Sequence, residues 1–316
     1  MTSILLTGGA GFIGSHLAQE LVRRGHTLVV VDDLNDFYPV QIKRANLAEV
    51  SRAGNFEFVE ADICDAEKMS EVFSRFRPQL VFHLAARAGV RPSLEQPLLY
   101  ERTNVQGTLV LLEQARQHQV RRFIFASSSS VYGSAGLQPF SEDETSPFPL
   151  SPYGVTKLAG EKHCYCYAHL YGIQVACLRF FTVYGPRQRP DLAIHKFSRL
   201  MRDDLEIPVF GEGDSMRDYT YIDDVVSGIL AASELESPFE ILNLGNSHPV
   251  SLNQMISCLE SAFGKKARIR RERVQPGDMA FTHADLRKAR LMLGYEPKVS
   301  FAEGIARFAG WFQSLD

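Results

Sequence analysis

Short apolar runs alternate along this chain with longer stretches in which apolar residues recur at helical spacing. Ile4 to Thr7, Leu28-Val29-Val30-Val31, Phe56-Glu57-Phe58-Val59, Leu80-Val81-Phe82, Arg122-Phe123-Ile124-Phe125 and Val175-Ala176-Cys177-Leu178 read as strands. Helices are predicted between them, over 14–24, 66–76, 97–118 and 152–171. Strand and helix taking turns in this way give an α/β fold, a parallel sheet wound by helices on both faces. After residue 180 the pattern loosens around Gly185-Pro186, Pro190, Pro208, Gly211-Glu212-Gly213, Gly245 and Pro276-Gly277. That change places one domain over 1–178 and a smaller, loop-rich α/β substrate-binding domain over 179–316. Residues 220–246, with strand-like Phe239 to Leu244, are read as returning to the first domain, so the two are interleaved.

Length and charge narrow the field. At 316 residues the chain suits one large or two modest domains with ample apolar content for a core. A net charge of -3 provides no basic footprint, which argues against nucleic acid as a partner. Met1-Thr2-Ser3 runs straight into Ile4-Leu5-Leu6 without a basic region or a long apolar run, so neither a signal peptide nor a membrane span is readable and a cytoplasmic location is expected. The cysteines at 64, 164, 166, 177 and 258 are odd in number and lack zinc spacing. They are expected to be free buried thiols, and no metal site is expected.

Candidate chemistry begins at the first strand. Leu6-Thr7-Gly8-Gly9-Ala10-Gly11-Phe12-Ile13-Gly14 follows a strand and opens a helix, and Asp32 and Asp33 end the second strand about 20 residues on. Glycines allow close approach of the backbone, and a helix N-terminus offers the positive end of its dipole to a pyrophosphate. An acidic residue at Asp32 would bond the adenosine ribose and meet a 2'-phosphate with like charge, so NAD is expected rather than NADP. This is the Rossmann arrangement. Asp62-Ile63 after the third strand is either an adenine contact or a turn and helix cap.

The second feature is Tyr153 and Lys157 in Ser151-Pro152-Tyr153-Gly154-Val155-Thr156-Lys157. Four residues apart on a helix, they share a face about 5 to 6 Å apart. An ammonium at Lys157 would favour the phenolate of Tyr153. Bringing a tyrosine from its ordinary pKa near 10 to neutrality takes about 4 kcal/mol, roughly what two charges at about 4 Å supply at an effective dielectric near 20. Tyr153 would then serve as a base.

With Gly8, Gly11 and Gly14, Asp32, Asp62-Ile63, His83-Leu84-Ala85-Ala86, Asn104, Ser127-Ser128-Ser129-Ser130-Val131-Tyr132-Gly133 and Tyr153/Lys157 in this order, the chain resembles the extended short-chain dehydrogenase/reductases over nearly all of its length. Within them it is similar to the nucleotide-sugar 4-epimerases. Ala88-Gly89-Val90-Arg91 and the run from Leu178-Arg179-Phe180-Phe181-Thr182 through Arg189-Pro190-Asp191 look most like the UDP-glucuronate 4-epimerases. The resemblance implies Ser128 and Tyr153 on the reacting hydroxyl and Lys157 on the nicotinamide ribose. It implies an NAD site lined by Gly8, Gly11, Phe12, Ile13, Asp32, Asp33, Asp62, Ile63, Leu84, Ala85, Ala86 and Asn104. It also implies a UDP-sugar as substrate, oxidation at carbon 4 to a bound ketone, return of hydride to the opposite face, and a homodimer.

Family members that eliminate water carry an aspartate and a glutamate before Val-Tyr-Gly, and decarboxylating members a glutamate, where this chain has Ser129 and Ser130. That difference argues for epimerisation. A 4-keto glucuronate is a β-keto acid, so its carboxylate must be held against loss of carbon dioxide. Ser128, Ser129, Ser130 and Arg189 are the candidates, with Arg87 and Arg91 behind them, because an arginine presents a planar two-pronged donor, although any one arginine could equally bind phosphate or a surface acid; Thr182 is expected among the substrate-binding residues. Val209 and Arg217 match the nucleotide clamp of the family, and Asp278 matches its ribose-binding aspartate. Gln275 fills a slot where many relatives have arginine, which leaves Arg273 as a substitute. Three alternatives stay open: a UDP-glucose 4-epimerase, a UDP-glucuronate decarboxylase, and a non-catalytic dinucleotide sensor.

Overall fold

The apolar runs become neighbouring parallel strands. A computed structural model of the chain describes residues 2–133, 139–144, 148–273 and 281–315. Its first part comprises β1 (Ser3–Thr7), α1 (Phe12–Arg23), β2 (Thr27–Asp32), α2 (Val40–Ala53), β3 (Glu57–Glu60), α3 (Ala66–Phe76), β4 (Leu80–His83), α4 (Val90–Glu95), α5 (Pro97–Tyr100), α6 (Gly107–Gln117), β5 (Arg122–Ser128), α7 (Pro152–Tyr171) and β6 (Gln174–Phe180). There follow β7 (Thr182–Tyr184), α8 (Ala193–Arg202), β8 (Glu206–Phe210), β9 (Met216–Tyr221), α9 (Ile222–Ser233), β10 (Phe239–Leu244), β11 (Pro249–Ser251), α10 (Leu252–Phe263), β12 (Arg268–Glu272), α11 (Arg287–Leu293) and α12 (Phe301–Gln313).

Seven strands form one parallel sheet in the order β10-β6-β5-β4-β1-β2-β3. Leu6 stands beside Val30 on one side and Phe82 on the other, and Phe82 beside Ile124. Both faces are covered over the central strands, which is why β1, β2 and β4 are almost wholly apolar, while edge strand β3 begins and ends with exposed glutamates. Ile4, Leu6, Val30 and Ile124 join Leu17 and Leu21 of α1 and Val225 and Ile229 of α9 in one core layer. Leu5, Val29, Val31, Val81 and Phe123 join Phe73 of α3, Leu111 of α6 and Cys164 of α7 in the other. The strand order reverses at β1, between β2 and β4, and a crevice beyond the carboxyl ends of the strands at such a point is where this architecture binds ligands.

The helix expected over 97–118 is interrupted. Between α5 and α6, residues Glu101–Gln106 form a π-helical turn. Asn104 within it sends its amide out to Arg87 and Thr156, and a local widening of this kind frequently marks a functional site. Two smaller sheets, β11-β9-β7 and β12-β8, complete the fold, and β7 and β9 of the first reach the crevice through Thr182, Val183 and Tyr219.

Candidate active site

One cavity of about 460 Å³ opens at the reversal point, and residues from both halves of the chain line it. Its floor is the β1 to α1 turn. Gly8 has φ +75°, and a Cβ there would lie 2.6 Å from the backbone nitrogen of Ala85. A Cβ on Gly14 would lie 2.1 Å from the carbonyl oxygen of Gly8. Gly11 caps α1 without any side-chain hydrogen bond to the first turn. Gly11, Phe12 and Ile13 line the cavity; the Gly11 amide is held by Gly8 O, and the first helical amides beyond it form a cradle suited to a diphosphate.

Asp32 ends β2 inside the same cavity. Its Oδ2 accepts from the Ala10 amide at 3.1 Å and its Oδ1 from the Leu34 amide at 3.0 Å, with Lys43 Nζ at 3.9 Å. Burial pushes the Asp32 carboxyl above its ordinary range, against the pull of Lys43 and both amides. Asp33 is exposed and turns back on the Asn35 amide. Asp62 accepts from the Cys64 amide at 2.9 Å and from Arg102 at 2.6 Å, while the cap of α3 is Asp65. Asp62 thus makes the turn of the second reading, and the helix cap falls to Asp65 three residues on. Asp33, Asp62, Ile63, Leu84, Ala85 and Ala86 all line the cavity. These groups fit a dinucleotide: bare helix amides for its phosphates, carboxylates for its ribose, and small or apolar residues beside its rings.

At the opposite end stand Ser128, Ser129, Ser130, Tyr153 and Lys157. Ser151 begins α7 by accepting from the Gly154 amide at 3.2 Å with Pro152 in the first turn, which places Tyr153 at the mouth of the helix. Gly160 lets α7 press onto β5, since a Cβ would lie 2.4 Å from the Phe125 ring. Lys157 is carried to the carboxyl end of β5, where its Nζ donates to Ala126 O at 2.7 Å. Burial lowers the Lys157 pKa to about 8.

The chain by itself does not supply the expected Lys157 to Tyr153 effect. The shared helix face is present, but the Lys157 ammonium is taken by a strand carbonyl and is not among the groups that act on the Tyr153 phenol. Burial raises the Tyr153 pKa, and the groups that oppose it are the Ser128 hydroxyl, by hydrogen bond, and the Arg189 guanidinium. Tyr153 also meets Tyr100 edge-on, with ring centroids 6.2 Å apart.

Arg189 enters the cavity from the segment after β7. Its Nε and Nη2 donate to Asp191 at 3.0 and 2.7 Å, and its guanidinium lies 5.1 Å from the centre of the Phe37 ring. Arg87 approaches the same ring at 5.9 Å, and it and Thr182 also line the cavity.

Other expected residues stand elsewhere. Asn104 is buried, with its amide shared among the Arg87 backbone and the Thr156 hydroxyl, so it braces the wall from behind. Val209 is fully buried in the core. Arg91 lies 4.9 Å over the Phe210 ring and Arg217 donates to Met216 O, both outside the cavity wall. Asp278 lies outside the described residues, as does Gln275. The wall also contains Asn35, Phe37, Tyr38, Lys43, Gln188 and Tyr219, which the sequence reading did not select. Among the described residues no three metal-ligating side chains cluster, and all five cysteines are free.

A glycine turn at a helix N-terminus that shares one cavity with a serine, a tyrosine and a buried lysine is the layout of a short-chain dehydrogenase/reductase. The chain belongs to the GDP-mannose 4,6 dehydratase family, whose pattern matches residues 5–308. It is 41% identical over 308 residues to a UDP-glucuronate 4-epimerase of Thermodesulfobacterium geofontis, covering 97% of this chain and 95% of that one. Its structure superposes with a TM-score of 0.93 at 38% identity on the UDP-glucuronic acid 4-epimerase of Bacillus cereus, crystallised with UDP-glucuronic acid and NAD, over 99% of each chain. The UDP-glucose 4-epimerase of Thermotoga maritima, crystallised with UDP-glucose, follows with a TM-score of 0.92 at 36% identity, again over 99% of each chain.

Proposed function

We propose that the protein is an NAD-dependent epimerase that inverts carbon 4 of a UDP-sugar, with UDP-glucuronate and UDP-galacturonate as the pair its site suits best. The observation that carries this reading is the single cavity in which the dinucleotide cradle and the Ser128, Tyr153 and Lys157 set meet Ser129, Ser130, Thr182 and Arg189. Relatives that carry out or bind for this chemistry match the whole chain.

Bound NAD supplies the reversible removal and return of the carbon 4 hydrogen. Tyr153 takes the proton of the carbon 4 hydroxyl and gives it back to the opposite epimer. Ser128, whose hydroxyl stands close enough to the phenol to oppose the rise in its pKa, orients the same oxygen. Lys157, fixed by Ala126 O, would donate to the cofactor ribose. Neutral hydroxyls at Ser129, Ser130 and Thr182, with the Arg189 charge, hold the sugar carboxylate. Arg189 is pre-aligned by Asp191 and Phe37, and Asp191 leaves the outer edge of the guanidinium for a ligand. No carboxylate lines this end among the described residues, which disfavours elimination.

Incubating the purified protein with NAD and either UDP-glucuronate or UDP-glucose, with products identified by proton NMR, tests the reading. Formation of UDP-galacturonate is expected. Conversion of UDP-glucose alone would replace it with the reading that the Thermotoga maritima relative favours, and release of carbon dioxide would make the protein a decarboxylase.

The chain forms a homodimer in this reading. Leu98, Val155, Tyr165, Leu170 and Tyr171 are large apolar side chains on α5 and α7 that are at least half exposed, a surface suited to a second copy. A monomer mass by light scattering at micromolar concentration would overturn it. Residues 1–178 with 220–246 hold the dinucleotide and 179–316 the sugar nucleotide, which the pairing of β10 with β6 supports. A cytoplasmic location completes the reading; five free thiols suit a reducing compartment, and no described helix is long and apolar enough to cross a membrane.

A further inference from the structure

Tyr153, Lys157 and Glu161 are spaced four residues apart on α7, so they share one face of the helix. The first two belong to the proposed chemistry. Glu161 is wholly buried one turn further on and has no part in it. Its Oε1 accepts from Ser127 Oγ at 2.5 Å and from Arg179 Nε at 2.9 Å, and its Oε2 accepts from Arg179 Nη2 at 2.8 Å. Ser127 and Arg179 are partners across β5 and β6, so one carboxylate ties the helix to two strands. The residues on either side of Ser127 are Ala126, whose carbonyl receives the Lys157 ammonium, and Ser128, whose hydroxyl opposes the rise in the Tyr153 pKa.

We propose that Glu161 is a positioning residue for this enzyme: clamped by Arg179 and Ser127, it fixes the strand end that carries Ala126 O and Ser128 and supplies negative charge one turn from Lys157. The inference rests on the epimerase reading. Packing alone does not call for a buried ion pair here, because well-fitted apolar side chains of similar volume are often as stable or more so. The charge also has a direction. Burial pulls the Lys157 pKa down, while Cys164 and Glu161 hold it up. From β4, His83 faces the ammonium but is held neutral by burial, with its pKa lowered to about 3. From β5, Lys157 meets only the uncharged Phe125 ring and Ala126 carbonyl, and on β6 Arg179 is engaged by Glu161 beside Cys177.

The test compares the wild-type holoenzyme with a variant carrying both Glu161→Met and Arg179→Met, which removes the pair without leaving one charge stranded. The variant is expected to keep NAD bound and to melt near the wild type. The alkaline limb of its kcat/KM profile is expected at lower pH, with kcat down at least about tenfold. A folded variant with the wild-type profile and kcat would show the pair to be structural only and overturn the proposal. Should that variant not fold, Ser127→Ala decides: a several-fold fall in kcat with unchanged KM is expected, and an unchanged kcat overturns it. Calorimetric titration with NAD across the same pH range reads Lys157 without turnover. A loss of affinity that sets in at lower pH in the variant supports the proposal, and coincident curves oppose it. Wild-type turnover of the UDP-sugar tests the epimerase reading separately.

Discussion

Replacing Lys157 with methionine should abolish turnover and yet relieve the folded protein of a cost, and the size of that cost can be worked out. Burial takes the Lys157 pKa from 10.5 to about 8. At 1.36 kcal/mol per unit, holding the charged lysine in place at pH 7 costs about 3 kcal/mol. The folded-state pKa lies below the unfolded one, so the penalty is fully present below about pH 8 and fades as pH rises towards 10.5. By pH 10 it is under about 1 kcal/mol. Methionine also gives up the hydrogen bond to Ala126 O, but that loss is nearly independent of pH. Urea melts of both proteins at pH 7 and pH 10 therefore separate the two contributions. The stability difference should move by about 2 to 3 kcal/mol in favour of the wild type on going to pH 10. A difference that stays level would mean that Lys157 carries no buried charge and would refute the reasoning.

Other outcomes follow from the same geometry. Tyr153→Phe should lower kcat by about 100-fold to 10,000-fold, the range for a lost general base, while calorimetry shows NAD still binding; full turnover would revive the dinucleotide sensor. Gly8→Ala puts a Cβ 2.6 Å from a backbone nitrogen at φ +75°, so NAD affinity by calorimetry should fall at least about tenfold from a conformational cost of about 1–2 kcal/mol and the clash added to it. Wild-type affinity would mean that the turn is not the cradle. Arg189→Met removes a charged donor worth about 1.5–3 kcal/mol, so kcat/KM for UDP-glucuronate should fall roughly 10-fold to 100-fold more than for UDP-glucose. Equal losses in steady-state kinetics would reject its role on the carboxylate.

The central strands of the large sheet were legible because each is a short apolar run buried on both faces, whereas edge strand β3 keeps only Phe58 and Val59 half-buried between exposed glutamates. Helix α2 was not, because the residues it buries are Lys43, Asn46 and Val50, and two polar side chains out of three leave no apolar stripe. Strand β12 reads Arg268-Ile269-Arg270-Arg271-Glu272 and lies mostly exposed, so it looks like a solvated basic stretch. At the site, Gly8, Ser128, Tyr153 and Lys157 announced themselves by spacing. Phe37 and Tyr38 reach the cavity only because the loop after β2 folds over it, and no local pattern encodes that. The partner of Lys157 was invisible for a simpler reason: it is a backbone carbonyl, which every residue possesses. Glu161 stood in plain view two turns beyond Tyr153, but only the register of β5 against β6 gives it Ser127 and Arg179.

The last strand to join the large sheet, β10, comes nearly sixty residues after β6, the strand it pairs with. During synthesis, therefore, β6 leaves the ribosome with one row of amides and carbonyls unpaired, and it stays an open edge until residue 244 has followed it out. The intervening chain builds β7, α8, β8, β9 and α9 in that interval. Production of this protein is thus most exposed to aggregation while its sugar-nucleotide half is still being made, and a fragment ending near residue 180 would keep that edge permanently.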